Sequence, residues 1–152
     1  ADYPDSLFIF ANASGPDEQK IRQLLQESLP ARNYVEIKFE EDLFALYQLF
    51  DIYIHVPVNE KIEAFGQTYV EALAAGIPSV FTLSGVANEF IEDGKNAIVV
   101  PFKDSEVIKR AVLKLMNDED LRRKIVSNGR ESVKKFALQE FIEKLEKMYE
   151  TP

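Results

Sequence analysis

Short apolar runs of β type alternate along the chain with segments whose apolar residues recur at helical spacing. The runs Leu7 to Ala11, Val35 to Phe39, Ile52 to Val56, Ser79 to Leu83 and Ala97 to Val100 are rich in Ile, Val and Phe. Most are apolar at consecutive positions, the pattern of strands covered on both faces, while Val35 to Phe39 is interrupted by Glu36 and Lys38. Between the first two, Ile21, Leu24, Leu25 and Leu29 recur at i, i+3, i+4 and i+8, which predicts one helical stripe. Ser14 with Asp17, and Pro16 just inside, give that helix a capping-box start. Leu43 to Phe50 reads as a second helix and Gln67 to Ala75 as a third, stopped by Gly76 with Pro78 shortly after.

Beyond Pro101 the period is purely helical. Ile108, Val112 and Leu115 form a stripe from a start near Asp104, and a further start at Asn117 or Asp118 leads into a helix crossing Gly129. A last helix carries Phe141, Ile142, Leu145, Met148 and Tyr149 on one face. Strand–helix alternation followed by terminal helices predicts an α/β fold: a Rossmann-like open parallel sheet with helices on both faces. No repeat, low-complexity stretch or Pro- or Gly-rich linker interrupts it, so residues 1–152 read as one domain.

Composition narrows the classes. At 46% apolar and 29% charged, the chain is neither a disordered tail nor a membrane protein. No apolar run approaches the roughly 20 residues that cross a bilayer, and no signal-peptide pattern opens it, so a cytoplasmic location is expected. With no Cys there is no disulfide framework and no thiolate chemistry, and one His, His55, excludes a His-rich zinc cluster. The 18 basic residues against 26 acidic ones give a net charge of −8, which argues against a nucleic-acid partner.

In an open α/β sheet, ligands bind beyond the carboxyl ends of the strands. The segment after Val56 is the most unusual of these loops. Gly66 opens the third helix, and its N–H with those of the following residues would face the crevice as an anion-attracting N-terminus. Glu63 precedes the helix and Glu71 lies a little over one turn inside it. Taking Val70, Leu73 and Ala74 as the buried stripe puts Glu71 on its flank, so both carboxylates can face the crevice. On spacing alone, solvated surface acids are the plainer reading. Three decoys have plainer readings: Asp118-Glu119-Asp120 as the acidic start of a helix, His55 as a packed strand side chain, and the Phe and Tyr residues as core.

The stretch Glu63-Ala-Phe-Gly-Gln-Thr-Tyr-Val-Glu71, running into Ala72-Leu-Ala-Ala-Gly-Ile-Pro-Ser-Val80, resembles the E-x7-E signature of retaining glycosyltransferases of family 4. These are two-domain enzymes of the GT-B fold. Asp51-Ile-Tyr-Ile-His-Val-Pro before it, and Ser84-Gly85-Val86-Ala87-Asn88-Glu89 and Asp93-Gly94 after it, follow in the family's order. The resemblance runs from about Ser6 to Tyr149. It implies a nucleoside diphosphate sugar as donor, with no metal or other cofactor. Glu71 would accept hydrogen bonds from the ribose hydroxyls, and Glu63, as the catalytic carboxylate, would contact the donor hexose near the reacting carbon. Phe65, Gly66 and Gln67 would hold sugar hydroxyls or phosphate through backbone N–H groups. Ser84, Gly85 and Val86 would supply backbone donors to the diphosphate, although Ser84 stands where the family usually has a glycine. The turn Asn12 to Pro16 and the residues Phe39 and Glu40 match places nearer the nucleotide.

The same resemblance implies what is missing. The family's acceptor-binding N-terminal domain, the first strand of the donor domain, and the Arg and Lys that offset diphosphate charge have no counterpart in this sequence. The expected assignment is therefore the donor-binding half of a hexosyltransferase, inactive alone, acting in the full enzyme in the cytoplasm or at the cytosolic membrane face. Without the first strand, either separated strands pair directly or a second copy or partner closes the sheet edge. The alternatives are a non-catalytic nucleotide-sugar-binding module, one chain of a two-chain transferase, or a related sugar-nucleotide epimerase.

Overall fold

The computed structural model describes residues 3–11 and 15–150. They fall into two compact units, Ala1–Leu46 and Tyr47–Pro152.

In the first unit, strands β1 (Phe8–Ala11) and β2 (Tyr34–Ile37) pair in parallel with Phe8 opposite Tyr34, joined through helix α1 (Glu18–Ser28). Asn33 is buried at the entrance to β2, and its amide donates to the carbonyls of Pro4 and Ser6 at 2.8 Å each. That amide ties the chain before β1 to the start of β2. Helix α1 begins later than the capping-box pattern suggests. Glu18 N–H closes a turn onto Gly15 O at 3.1 Å, so Pro16 sits in that turn and Asp17 is the N-cap, without a side-chain hydrogen bond. Ser14, with Asn12 and Ala13, lies outside the described residues. The α1 stripe is helical as expected, yet none of its side chains is fully buried. Helix α2 (Leu43–Tyr47) spans the junction of the units and starts at Asp42, whose Oδ1 accepts from Ala45 N–H at 2.9 Å.

The second unit holds β3 (Tyr53–His55), β4 (Ser79–Phe81) and β5 (Ile98–Val99) in a parallel sheet of order β3-β4-β5. Around it pack helices α3 (Gln67–Ala75), α4 (Ser105–Asn117), α5 (Glu119–Val133) and α6 (Leu138–Glu150). Central β4 is buried along its length, and its alternating side chains feed two cores. Phe81 packs with Tyr69 and Leu73 of α3, while Val80 packs with Ile98, Ala111, Leu115 and Ile125. Helices on both faces of parallel strands make this the expected α/β architecture. The ladders divide into one sheet per unit, β1-β2 in the first and β3-β4-β5 in the second.

Local chemistry explains the helix bounds. Gly76 ends α3 at φ 78°, with Ile77 N–H reaching back to Ala72 O at 3.1 Å. Asp104 and Asp118 cap α4 and α5 by accepting from Val107 and Leu121 N–H, as the sequence suggests. Gly129 lets α5 approach α3 closely, since a Cβ there would lie 3.0 Å from Leu73 Cδ2. One expectation is corrected. The buried stripe of α3 is Tyr69, Ala72 and Leu73, with Val70 half-buried and Ala74 exposed. Tyr69 faces inward because its hydroxyl finds backbone partners there, while Val70 still packs against the core from the flank.

Candidate functional site

The site is built where β3 ends and α3 begins, within the second unit. Gly66 is the N-cap of α3 at φ 70°, a left-handed conformation that suits glycine. Space demands glycine as well. A Cβ there would fall 2.5 Å from Glu63 Oε2 and 2.5 Å from the Tyr69 ring. The Glu63 carboxylate therefore lies against the first turn of α3, where the helix dipole favours negative charge.

Two further contacts fix Glu63. Its Oε1 is 2.6 Å from Nε2 of His55, the last residue of β3. Its backbone N–H donates to Ser84 Oγ at 3.1 Å. The turn after β4 grips the rest of the loop: Gly85 N–H donates to Glu60 O at 2.9 Å and Val86 N–H to Ala64 O at 3.3 Å. Gly85 sits at φ 61°, and a Cβ on it would strike the carbonyls of Ala64 and Glu63. Below, Thr82 Oγ1 donates to Pro57 O at 2.7 Å. Tyr69 OH donates to Thr82 O at 2.6 Å and accepts from Ser84 N–H at 3.2 Å. Burial pushes the Tyr69 phenol up to about 12.

Glu71 is held differently. Its Oε2 accepts from Tyr47 OH at 3.0 Å. Tyr47 lies edge-on to Tyr53 at 5.5 Å, and Tyr53 is nearly parallel to His55 at 6.3 Å. A row of rings thus runs from the partner of Glu71 to the partner of Glu63. Burial first, then the neighbouring Tyr53 and the Glu71 charge, push the Tyr47 phenol far up, so it stays a donor across the neutral range. Burial also raises Tyr53, hydrogen bonding with Tyr47 and Thr68 pulls it partly back, and the charges of Glu71 and Glu63 add smaller upward contributions. The two glutamates thus act on one hydroxyl.

The structure accounts for the remaining candidates as follows. Phe65 is partly exposed, with its ring edge-on to Phe136 at 5.5 Å. Gln67 is the exposed first residue of α3. The N–H groups of Ser84, Gly85 and Val86 are all directed to protein acceptors, Tyr69 OH, Glu60 O and Ala64 O. Sequence reasoning missed two residues. His55 was read only as a packed side chain, and it does pack edge-on to Tyr69 at 4.7 Å, but its Nε2 also meets Glu63. Tyr47 is core as the sequence suggests, buried in the same cluster as Leu73 and Phe81, and its hydroxyl also meets Glu71. The available signal for His55 was its place at the carboxyl end of a parallel strand, where ligand loops gather.

Among the described residues no group of three or more His, Asp or Glu side chains is arranged to hold a metal, and Asp118 serves as the cap of α5. A cleft of about 210 Å³ opens elsewhere, between β5 and α4, beside Asp93, Val99, Arg110 and Lys114, and no candidate residue lines it. No helix among the described residues is long and apolar enough to cross a membrane.

The family model for Glycosyl transferases group 1 matches residues 2–132. The chain belongs to this family. The alpha-monoglucosyldiacylglycerol synthase of Acholeplasma laidlawii is 27% identical over 149 residues, covering 97% of this chain and 36% of that protein. Among solved structures, Anabaena HepE in complex with UDP superposes with a TM-score of 0.78 at 22% identity, over 93% of this chain and 41% of that one. The C-terminal domain of a glycosyl transferase group 1 protein, LpcC of Francisella tularensis, gives a TM-score of 0.66 at 27% identity, over 76% of this chain and 60% of that one. The GT-B-like neighbours agree with the parallel α/β architecture. The chain spans about a third of the length of the curated relative it matches almost end to end.

Proposed function

We propose that this chain forms the nucleotide-sugar-binding part of a retaining glycosyltransferase of the family 4 type, transferring a hexose from a nucleoside diphosphate sugar without a metal. The observation that carries the reading is the pair Glu63 and Glu71, each held through one carboxylate oxygen by a ring donor, His55 and Tyr47. A carboxylate with one oxygen anchored keeps acceptor capacity for a ligand hydroxyl or diol. In this reading Glu71 takes the ribose hydroxyls, and Glu63 contacts the hexose near the reacting carbon. The α3 N-terminus at Gly66 and Gln67 receives the diphosphate or sugar hydroxyls. Group 1 membership and the UDP seen in the HepE structure support a nucleotide ligand.

The test is calorimetric titration of the chain with UDP, GDP and ADP, with and without EDTA. One of the three is expected to bind equally well in both conditions. Glu71→Ala should weaken that binding by about 1–3 kcal/mol through loss of a charged hydrogen bond. Unchanged affinity in the variant removes Glu71 from the site.

A further inference from the structure

His55 stands outside the sequence motif, yet it makes the shortest polar contact of the Glu63 side chain, 2.6 Å from Nε2 to Oε1. Both side chains are largely shielded, with 22% and 20% exposure. The imidazole is fixed on two sides, edge-on to Tyr69 at 4.7 Å and nearly parallel to Tyr53 at 6.3 Å. Glu63 is fixed from the other direction by Ser84 Oγ on its backbone N–H, and its Oε2 lies over Gly66. Against an ionised carboxylate, which only accepts, the Nε2–H form of the ring is the one that donates this contact. A ring that cannot swing therefore holds Oε1 and leaves Oε2 turned toward the start of α3.

We infer that His55 is a positioning residue that presets the Glu63 carboxylate for the sugar portion of the donor. This role rests on the donor-site reading above and deepens it. A preset carboxylate binds without first giving up rotamer freedom, and that advantage falls on whatever Glu63 touches. In the proposed site that is the hexose, while the nucleotide is held through Glu71 and Tyr47. His55 is thus assigned to sugar affinity, separately from nucleotide affinity.

Two substitutions separate the ring from the donor. His55→Phe keeps an aromatic ring against Tyr69 and removes Nε2–H, while His55→Gln places an amide donor near the same point without the ring. Each variant is titrated with UDP, GDP and ADP and with the glucose conjugate of each. For the nucleotide that the wild type binds, His55→Phe should keep the diphosphate affinity within about twofold and weaken the glucose conjugate about tenfold. His55→Gln should recover most of that loss. Equal losses for both ligands, or none for either, overturn the positioning role. Because the chain has a single His, its ring signals need no assignment. Nitrogen-15 spectra should show a hydrogen-bonded Nε2–H that disappears in Glu63→Ala. A ring protonated only at Nδ1, or a signal indifferent to Glu63→Ala, overturns the pairing. If the wild type binds none of the six ligands, the donor-site reading fails and the sugar role with it, while the ring spectra still decide the pairing.

Discussion

Tyr69→Phe isolates the hydroxyl that joins α3 to the turn after β4. Tyr69 is fully buried, and its ring packs edge-on to Phe81 at 4.9 Å and to His55 at 4.7 Å. Phenylalanine keeps both ring contacts. What is lost is one hydrogen bond given to Thr82 O at 2.6 Å and one taken from Ser84 N–H at 3.2 Å. Thr82 and Ser84 are themselves fully buried, so water cannot replace the missing partner. An unsatisfied buried backbone group costs about 1–3 kcal/mol. The longer of the two bonds sits at the low end of that range, and desolvating the phenol no longer opposes folding. A net destabilisation of about 2–3 kcal/mol follows, large against the 5–15 kcal/mol typical of a domain.

Urea denaturation followed by circular dichroism measures this directly. With a slope of about 1–3 kcal/mol/M, the midpoint should fall by roughly 0.7–3 M at unchanged slope. The damage should also be local. Ser84 holds Glu63 N–H, so residues 57–64 should exchange amide hydrogens faster in the variant while α4 and α5 change only with global stability. A stability change below about 0.5 kcal/mol, or uniform acceleration of exchange, would refute the claim that this hydroxyl carries the turn.

Three further outcomes follow from the same geometry. Gly85→Ala puts a Cβ against the carbonyls of Ala64 and Glu63 at φ 61°, and should cost about 2 kcal/mol or more in denaturant while Gly94→Ala, with open space at φ 66°, costs only its backbone strain. Leu115→Ala empties a fully buried position between Val80 and Ile125 and should lower stability by about 2–5 kcal/mol, a value that urea titration can contradict by showing less than 1. Raised phenol values in the folded state mean that the folded chain holds protons the unfolded chain releases. The stability from Tyr69 is therefore complete below pH 10 and is lost as pH rises toward 12, up to about 3 kcal/mol for that group. Tyr47 and Tyr53 act in the same direction. Unfolding free energies equal at pH 9 and pH 11 would contradict this, and Tyr69→Phe should flatten the profile.

Local signals were read well where a residue type has one physical use. Gly66 and Gly76 bracket α3 at the bounds the sequence suggests, and Asp104 and Asp118 cap the helices they precede. Apolar runs overstate the strands, because burial and ladder pairing are different properties. Val35 to Phe39 reads as one run, but the ladder covers Tyr34–Ile37 and leaves Phe39 exposed. The spacing of Glu63 and Glu71 was visible, while their partners were not. His55 reaches Glu63 only because a strand end and a loop are folded together, and Tyr47 reaches Glu71 across 24 positions. Ser84 shows a subtler gap. The expectation there concerns its backbone N–H toward a ligand, and the spacing gives no sign that its hydroxyl accepts from Glu63 N–H.

The choice of ring donors for the two glutamates has an electrostatic consequence. An arginine at either place would form a fork that can occupy both oxygens of a carboxylate. A tyrosine hydroxyl or an imidazole N–H supplies a single donor and fixes one oxygen only. Tyr47 is held protonated by its burial, so its hydroxyl donates to Glu71 without bringing a positive charge to it. Hydroxyl groups, which donate, suit such carboxylates, whereas phosphate, which is anionic, does not. In the proposed donor site of a chain of net charge −8, the hydroxyl-bearing parts of a ligand would therefore fall to Glu63 and Glu71, and phosphate to the N–H groups at the start of α3.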